Sequence, residues 1–255
     1  MRKNMAFGTE RQIFTGTATD RALIDEGLRT YMLRVYNYMA SGLALTGIVA
    51  YITADASVIM NEYGQIVALT SLGATLFQSG LRWIVMLSPL AFVLFLSFGL
   101  HKMNFATAQT VFWMFAAVMG ISLATVFIEF TGASVARVFF ITAGTFAGMS
   151  LYGYTTKRDL SRFGSFLFMG LIGIILASVV NMFLASSALQ FAISVIGVLV
   201  FVGLTAYDTQ QIKEMYVAAD DSETMGKKAL MGALRLYLDF INLFIMLLQL
   251  LGIRR

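Results

Sequence analysis

Beyond a polar opening, apolar residues along this chain come in long unbroken runs separated by short polar breaks. The first thirty residues carry Arg2, Lys3, Glu10, Arg11, Asp20, Arg21, Asp25, Glu26 and Arg29. No apolar stretch interrupts them, which reads as a polar tail without a cleaved signal peptide. After Arg29, seven stretches are long enough to cross a bilayer, a task that takes about 20 mostly apolar residues of helix. They are Tyr31–Thr53, Trp83–Leu100, Ala106–Ile128, Ser134–Thr155, Phe163–Leu184, Phe191–Gln210 and Leu230–Gly252. None shows the two-residue alternation of a membrane barrel strand, so the pattern predicts helices.

Only Ala54–Arg82 and Gln211–Ala229 are long connections. The expected architecture is therefore an all-α membrane protein, a single bundle of seven transmembrane helices. Residues 1–30 form a polar cytoplasmic tail and residues 31–255 a transmembrane domain. The single proline, Pro89, falls inside the second span and predicts a kink there. Small residues four apart, Gly144 with Gly148 and Gly120 with Ala124, would let helices approach closely, with plain packing as their ordinary meaning.

Composition sharpens this reading. Of 255 residues, 58% are hydrophobic and 13% charged, and the mean hydropathy is +0.78. A soluble domain carries about 25% charged residues, so a soluble enzyme, a disordered chain and a nucleic-acid binder are excluded together. The net charge of +4 then bears on orientation. With the N-terminus in the cytoplasm, thirteen of the eighteen Lys and Arg fall on that side. Arg82, Arg137, Arg254 and Arg255 fall on the other, an asymmetry that favours this placement. Seven complete spans leave Arg254 and Arg255 outside; a last helix that re-enters would return them, and the sequence leaves both routes open. There is no Cys and one His, His101, so disulfides, thiolate zinc sites and multi-histidine metal sites are absent.

Most charges lie in tails and loops, but Asp208 and Asp239 fall within the sixth and seventh spans. An ionised carboxylate in a span costs on the order of 2.5–3.5 kcal/mol, so such groups face the bundle interior and find partners. At 100° per residue, Arg235, Asp239, Asn242 and Gln249 share one face of the seventh span. Ser194, Gly197, Thr205 and Asp208 make a stripe of small or polar residues on the sixth. Two such stripes on consecutive helices most simply face each other or a shared wet cavity. At about 4 Å and an effective dielectric of 20, two carboxylates repel by about 4 kcal/mol, enough to make them share one proton. Candidate neighbouring cations are Arg235, His101 and Lys102. The plainer alternative is a local Arg235–Asp239 pair, with Asp208 capping the sixth span near the headgroups. His101 and Glu129 have ordinary readings as interfacial residues. Asp220, Asp221 and Glu223 read as a solvated loop, although an acidic cluster at a pore mouth would gather cations.

These residues carry a resemblance. Gly203–Tyr216, GLTAYDTQQIKEMY, and Leu236–Gly252, LYLDFINLFIMLLQLLG, resemble the two best-marked segments of the transmembrane Bax inhibitor motif family, the Bax inhibitor-1-like proteins. Gly153–Gly173, GYTTKRDLSRFGSFLFMGLIG, resembles that family's central stretch. The likeness covers all seven spans and leaves out the polar tail. It implies a bundle whose last helix is central, surrounded by the other six. It also implies a pH-sensitive calcium leak in which Asp208 and Asp239 form the proton sensor, meet calcium transiently, and open in acid. The position matching the family's basic residue at the end of the second helix is His101, a latch that would itself titrate near neutral pH. An acid found in the second helix of some relatives is missing here, since no Asp or Glu occurs between Trp83 and Leu100. Bacterial relatives include regulators of a membrane-anchored AAA protease, which implies a possible protease partner and a bacterial inner membrane.

An enzyme reading fares worse. Tyr207–Asp208 imitates half of an intramembrane aspartyl protease, but Leu236, Tyr237 and Leu238 precede Asp239 where that family has Gly-x-Gly. Its Pro-Ala-Leu element has no counterpart, Pro89 being the only proline. A retinal protein needs a lysine in its last span, and none follows Lys228. The expectation is a non-enzymatic membrane protein without cofactor, whose partners are the lipid bilayer and calcium, with no nucleic acid. The competing expectation is a regulator that binds a membrane protease or stress partner and conducts nothing.

Overall fold

The computed structural model describes residues 18–99 and 102–255, with side chains from Ile24 onward. His101 and the first seventeen residues of the polar tail lie outside the described residues. Among the described residues the elements run α1 (Ala18–Ser57), β1 (Val58–Met60), β2 (Ile66–Leu69), α2 (Ser71–Phe77), α3 (Leu81–Gly99), α4 (Phe105–Glu129), α5 (Gly132–Thr155), α6 (Ser161–Leu184), α7 (Ser187–Glu214) and α8 (Ser222–Leu251). All helices but α2 are long and apolar enough to cross a membrane. They coincide with the seven runs read from the sequence, so the chain is an integral, multi-pass, all-α membrane protein.

Helix starts follow side-chain chemistry. Asn104, Ser186 and Asp221 accept the Thr107, Leu189 and Thr224 amides at the first turns of α4, α7 and α8, covering donors that a helix leaves open. Pro89 is buried within an α3 that runs unbroken from Leu81 to Gly99. The proline removes the donor that would bond the Val85 carbonyl. The Ser88 hydroxyl donates to that carbonyl at 3.0 Å instead.

The long 54–82 connection is built rather than loose. β1 and β2 pair antiparallel around a turn in which Asn61 Oδ1 accepts the Tyr63 and Gln65 amides and Gly64 takes a φ of 72°. The other long connection shrinks to 215–221, because α7 and α8 both extend past their apolar runs.

α8 is the most buried span. It packs on α1, α4, α5 and α7, while α3 lies chiefly against α4 and α6 against α7. The last helix is therefore central, but four helices rather than six form its main ring. Lipid is as apolar as leucine, so packing and interhelical hydrogen bonds must hold such a bundle. Thr46 of α1 supplies one: its hydroxyl donates to the Ala116 carbonyl of α4 at 2.8 Å and accepts from Tyr237 of α8 at 2.7 Å. Gly120 meets α1 closely at Thr46 and Val49, whereas Gly144 and Gly148 have open space around them. Of the two small-residue pairs, only the first serves packing.

The C-terminus resolves the route left open above. α8 is one continuous helix, and Ile253 donates its amide to Ser134 Oγ at 2.9 Å. Arg254 pairs with Glu129 at 3.1 Å and lies over the Phe130 ring. The final residues thus dock at the α4–α5 turn, the end of the bundle opposite the α7–α8 loop. The helix runs unbroken along the bundle without turning back, and the Arg254 charge is met by Glu129.

Candidate functional site

α7 and α8 run antiparallel and close together because glycines face large side chains at two levels. A Cβ at Gly197 would stand 2.8 Å from the Met246 side chain, and one at Gly232 would stand 2.9 Å from Ile212 Cγ2. Asp208 and Asp239 lie between these two contacts. On the other flank of α7, Gly153 of α5 touches the Ala206 carbonyl. The acids are thus placed where the helices approach closely.

The carboxyls of Asp208 and Asp239 lie within hydrogen-bonding reach of each other. Asp239 is 5% exposed, while Asp208 keeps part of its surface open. Ionised carboxylates only accept hydrogen bonds, so a bond between two of them requires one proton. Oδ2 of Asp239 is sealed from solvent and has no hydrogen-bond donor among the described residues. A burial of this kind is costly for a charge and cheap for a shared proton.

Arg235, one turn before Asp239 on α8, is exposed. Its charge acts on both carboxyls and on the Tyr31 hydroxyl. The ion pairs among the described residues are Lys227–Glu223, Lys228–Asp220 and Arg254–Glu129, so Arg235 acts through space and forms no local pair with Asp239. Asp208 does not cap its helix, since α7 continues to Glu214. Tyr31 stacks on Tyr216 with ring centres 5.6 Å apart, and its buried hydroxyl has no partner among the described residues.

The sequence-derived faces divide. On α8, the Asn242 amide returns to the Leu238 carbonyl at 2.8 Å and Gln249 accepts from Arg254 at 3.0 Å, leaving Asp239 alone to meet α7. On α7, Ser194 and Thr205 are buried and donate to their own helix. Lys102 is exposed; His101, the expected latch, lies outside the described residues. The loop acids are engaged locally: Asp220 with Lys228, Glu223 with Lys227, and Asp221 with the Thr224 amide, whose bond holds this carboxyl below the usual range. Among the described residues, no three acids or histidines gather to hold a metal ion.

Sequence reasoning missed the hydroxyl chain beside the pair. Tyr36 and Ser150 share a hydrogen bond of 2.6 Å, and Ser150 and Thr209 one of 2.9 Å, linking α1, α5 and α7. Next to it, Gln210 accepts the Leu160 amide and donates to the Arg158 carbonyl, both at 2.8 Å, clamping the α5–α6 loop. Lys213 donates to the Tyr154 carbonyl at 2.9 Å and sits over the Tyr154 ring. Polar residues at 209 and 210, directly after Asp208, were the available signal; their distant partners were not.

Known proteins place the same residues in one family. The model for the family described as Inhibitor of apoptosis-promoting Bax1 matches residues 28–255. The inner membrane protein YbhL of Escherichia coli strain K12 is 48% identical, over 90% of this chain and 94% of its own length. An uncharacterized protein of Rickettsia prowazekii is also 48% identical, over 94% of this chain and 96% of its own. An uncharacterized membrane protein of Streptococcus pyogenes is 32% identical, over 89% and 94%. With a family match over residues 28–255, and relatives aligned over 94–96% of their own length, the chain belongs to the Bax inhibitor-1-like family of membrane proteins.

Proposed function

We propose that this protein is a pH-sensitive calcium leak of the membrane, gated by the Asp208–Asp239 pair. The observation that carries the reading is the meeting of these two carboxyls where α7 packs on the central helix, one of them sealed, with Arg235 acting on both. With one shared proton, the pair keeps a single negative charge between α7 and α8. That charge attracts Arg235 and holds the two helices together. A second proton removes the attraction, and the interface loosens as pH falls. Full deprotonation instead places two charges side by side at a cost of about 4 kcal/mol at 4 Å.

Calcium is the cargo and no resident cofactor is involved. It takes about 6–8 oxygen ligands, roughly four to six more than two monodentate carboxylates supply, so it would meet Asp208 and Asp239 in passing. The protein acts without catalysis, and its partners are the bilayer and the ion. By the distribution of Lys and Arg the N-terminus is cytoplasmic. The name of the Escherichia coli relative supports a bacterial inner membrane.

Purified protein in calcium-free vesicles tests the reading. Calcium entry above that of protein-free vesicles, rising in acid, supports it. Entry equal to the blank at every pH would favour the second reading, a non-conducting regulator of a membrane protease.

A further inference from the structure

α1 and α5 make little direct contact beyond the Tyr36–Ser150 hydrogen bond. They leave a cleft of about 1040 Å³ floored by Phe240, Ile241 and Phe244 of the central helix. Along α1 the lining runs from Arg29 to Ala50, about 30 Å of helix and the full thickness of the hydrocarbon layer. We propose that this cleft binds one anionic phospholipid, an acyl chain inside and its phosphate at Arg29.

Two observations select this occupant. The lining is apolar apart from Arg29, Tyr154 and the hydroxyls of Tyr36, Thr46 and Ser150. Those three hydroxyls already have partners, so a polar guest finds no free donor among them. Finally, the charge is at one end only. Arg29 is exposed and has no ion-pair partner among the described residues, Asp25 and Glu26 on the same helix included. Lys213 lies over the ring of Tyr154, which lines the same cleft. A basic mouth above an apolar slot complements a phosphate joined to an acyl chain. This inference does not depend on the leak or on which face is cytoplasmic.

The test uses full-length protein in phosphatidylcholine vesicles doped with phosphatidylglycerol that carries a diazirine on one acyl chain. Adducts are mapped by mass spectrometry after illumination. They are expected to concentrate on Leu43 and Ala147 in the cleft rather than on Phe166 and Phe183, which are exposed on α6. Arg29→Gln should lower cleft labelling about fivefold, the effect of one basic side chain at an anionic surface, down to the level of a zwitterionic probe. Gly47 has nothing within 4 Å of its Cβ position, so Gly47→Leu should fill the slot and remove cleft labelling while α6 labelling persists. Adducts spread evenly over α1, α5 and α6 would overturn the proposal, as would equal cleft labelling by both lipids in the unmodified protein. A polypeptide crosslinked into the cleft would overturn it too. The unmodified protein and Arg29→Gln suffice for the test should Gly47→Leu fail to fold.

Discussion

Gly153 of α5 lies against the backbone carbonyl of Ala206 on α7, closer than any side chain at position 153 would allow. The contact sits beside Asp208 and sets how near α5 can come to the acid pair. A backbone carbonyl inside a helix cannot step aside as a flexible side chain can. Gly153→Ala should therefore cost about 1–3 kcal/mol of stability through overpacking. Gly144→Ala on the same helix meets open space and should gain about 0.5–1 kcal/mol from helix propensity. Thermal unfolding in detergent measures both; equal effects would contradict the close approach.

The Thr46–Tyr237 bond predicts an asymmetric pair of losses. Tyr237→Phe removes one hydroxyl and leaves Thr46 still bonded to Ala116, a loss of about 0.5–1.5 kcal/mol. Thr46→Val strands the buried Tyr237 hydroxyl and should cost about 1–3 kcal/mol. In a double-mutant cycle Thr46→Val should cost less in the Tyr237→Phe background than in the unmodified protein. Additive losses would mean that the two hydroxyls act separately.

The docking of Arg254 on Glu129 predicts that the two ends of α8 lie on opposite membrane faces. The protein has no native Cys, so single cysteines report cleanly. Val217→Cys in the α7–α8 loop and Ile253→Cys at the terminus should react with a membrane-impermeant thiol reagent from opposite sides, Val217→Cys from the cytoplasm. Labelling of both from one side would contradict a complete last span.

Acid should fray the start of α8. Asp221 accepts the Thr224 amide at 2.8 Å, and that bond holds its carboxyl below the usual range. Because the folded value is depressed, its contribution is complete above the unfolded value of about 3.9 and is lost as pH falls through the folded one. Hydrogen exchange at residues 223–225, corrected for intrinsic rates, should hold steady down to about pH 4 and rise below it. Asp221→Asn keeps an acceptor that does not titrate and should abolish the acid step. An identical step in both proteins would contradict the cap.

The spans were legible because each is a long apolar run, a signal that needs no knowledge of partners. Asp208 and Asp239 were legible for the complementary reason, as acids where lipid tolerates none. The β1–β2 hairpin was not, since three- and four-residue strands carry too little alternation to stand out. The Tyr36–Ser150–Thr209 chain joins three helices far apart in sequence, and only tertiary packing creates it. Arg235 shares a helical face with Asp239, yet its long side chain reaches the surface, where the charge keeps its hydration. Four helices rather than six form the main ring around α8 because α3 and α6 find their partners on α4 and α7.

Calcium flux against pH in reconstituted vesicles, for the unmodified protein beside Asp208→Asn and Asp239→Asn, tests the shared proton most directly. Neither substituted pair can exchange a proton as two acids do. Entry should rise steeply in acid for the unmodified protein and stay nearly flat with pH in each variant. A variant that keeps the original slope and midpoint would show that this pair does not set the gate.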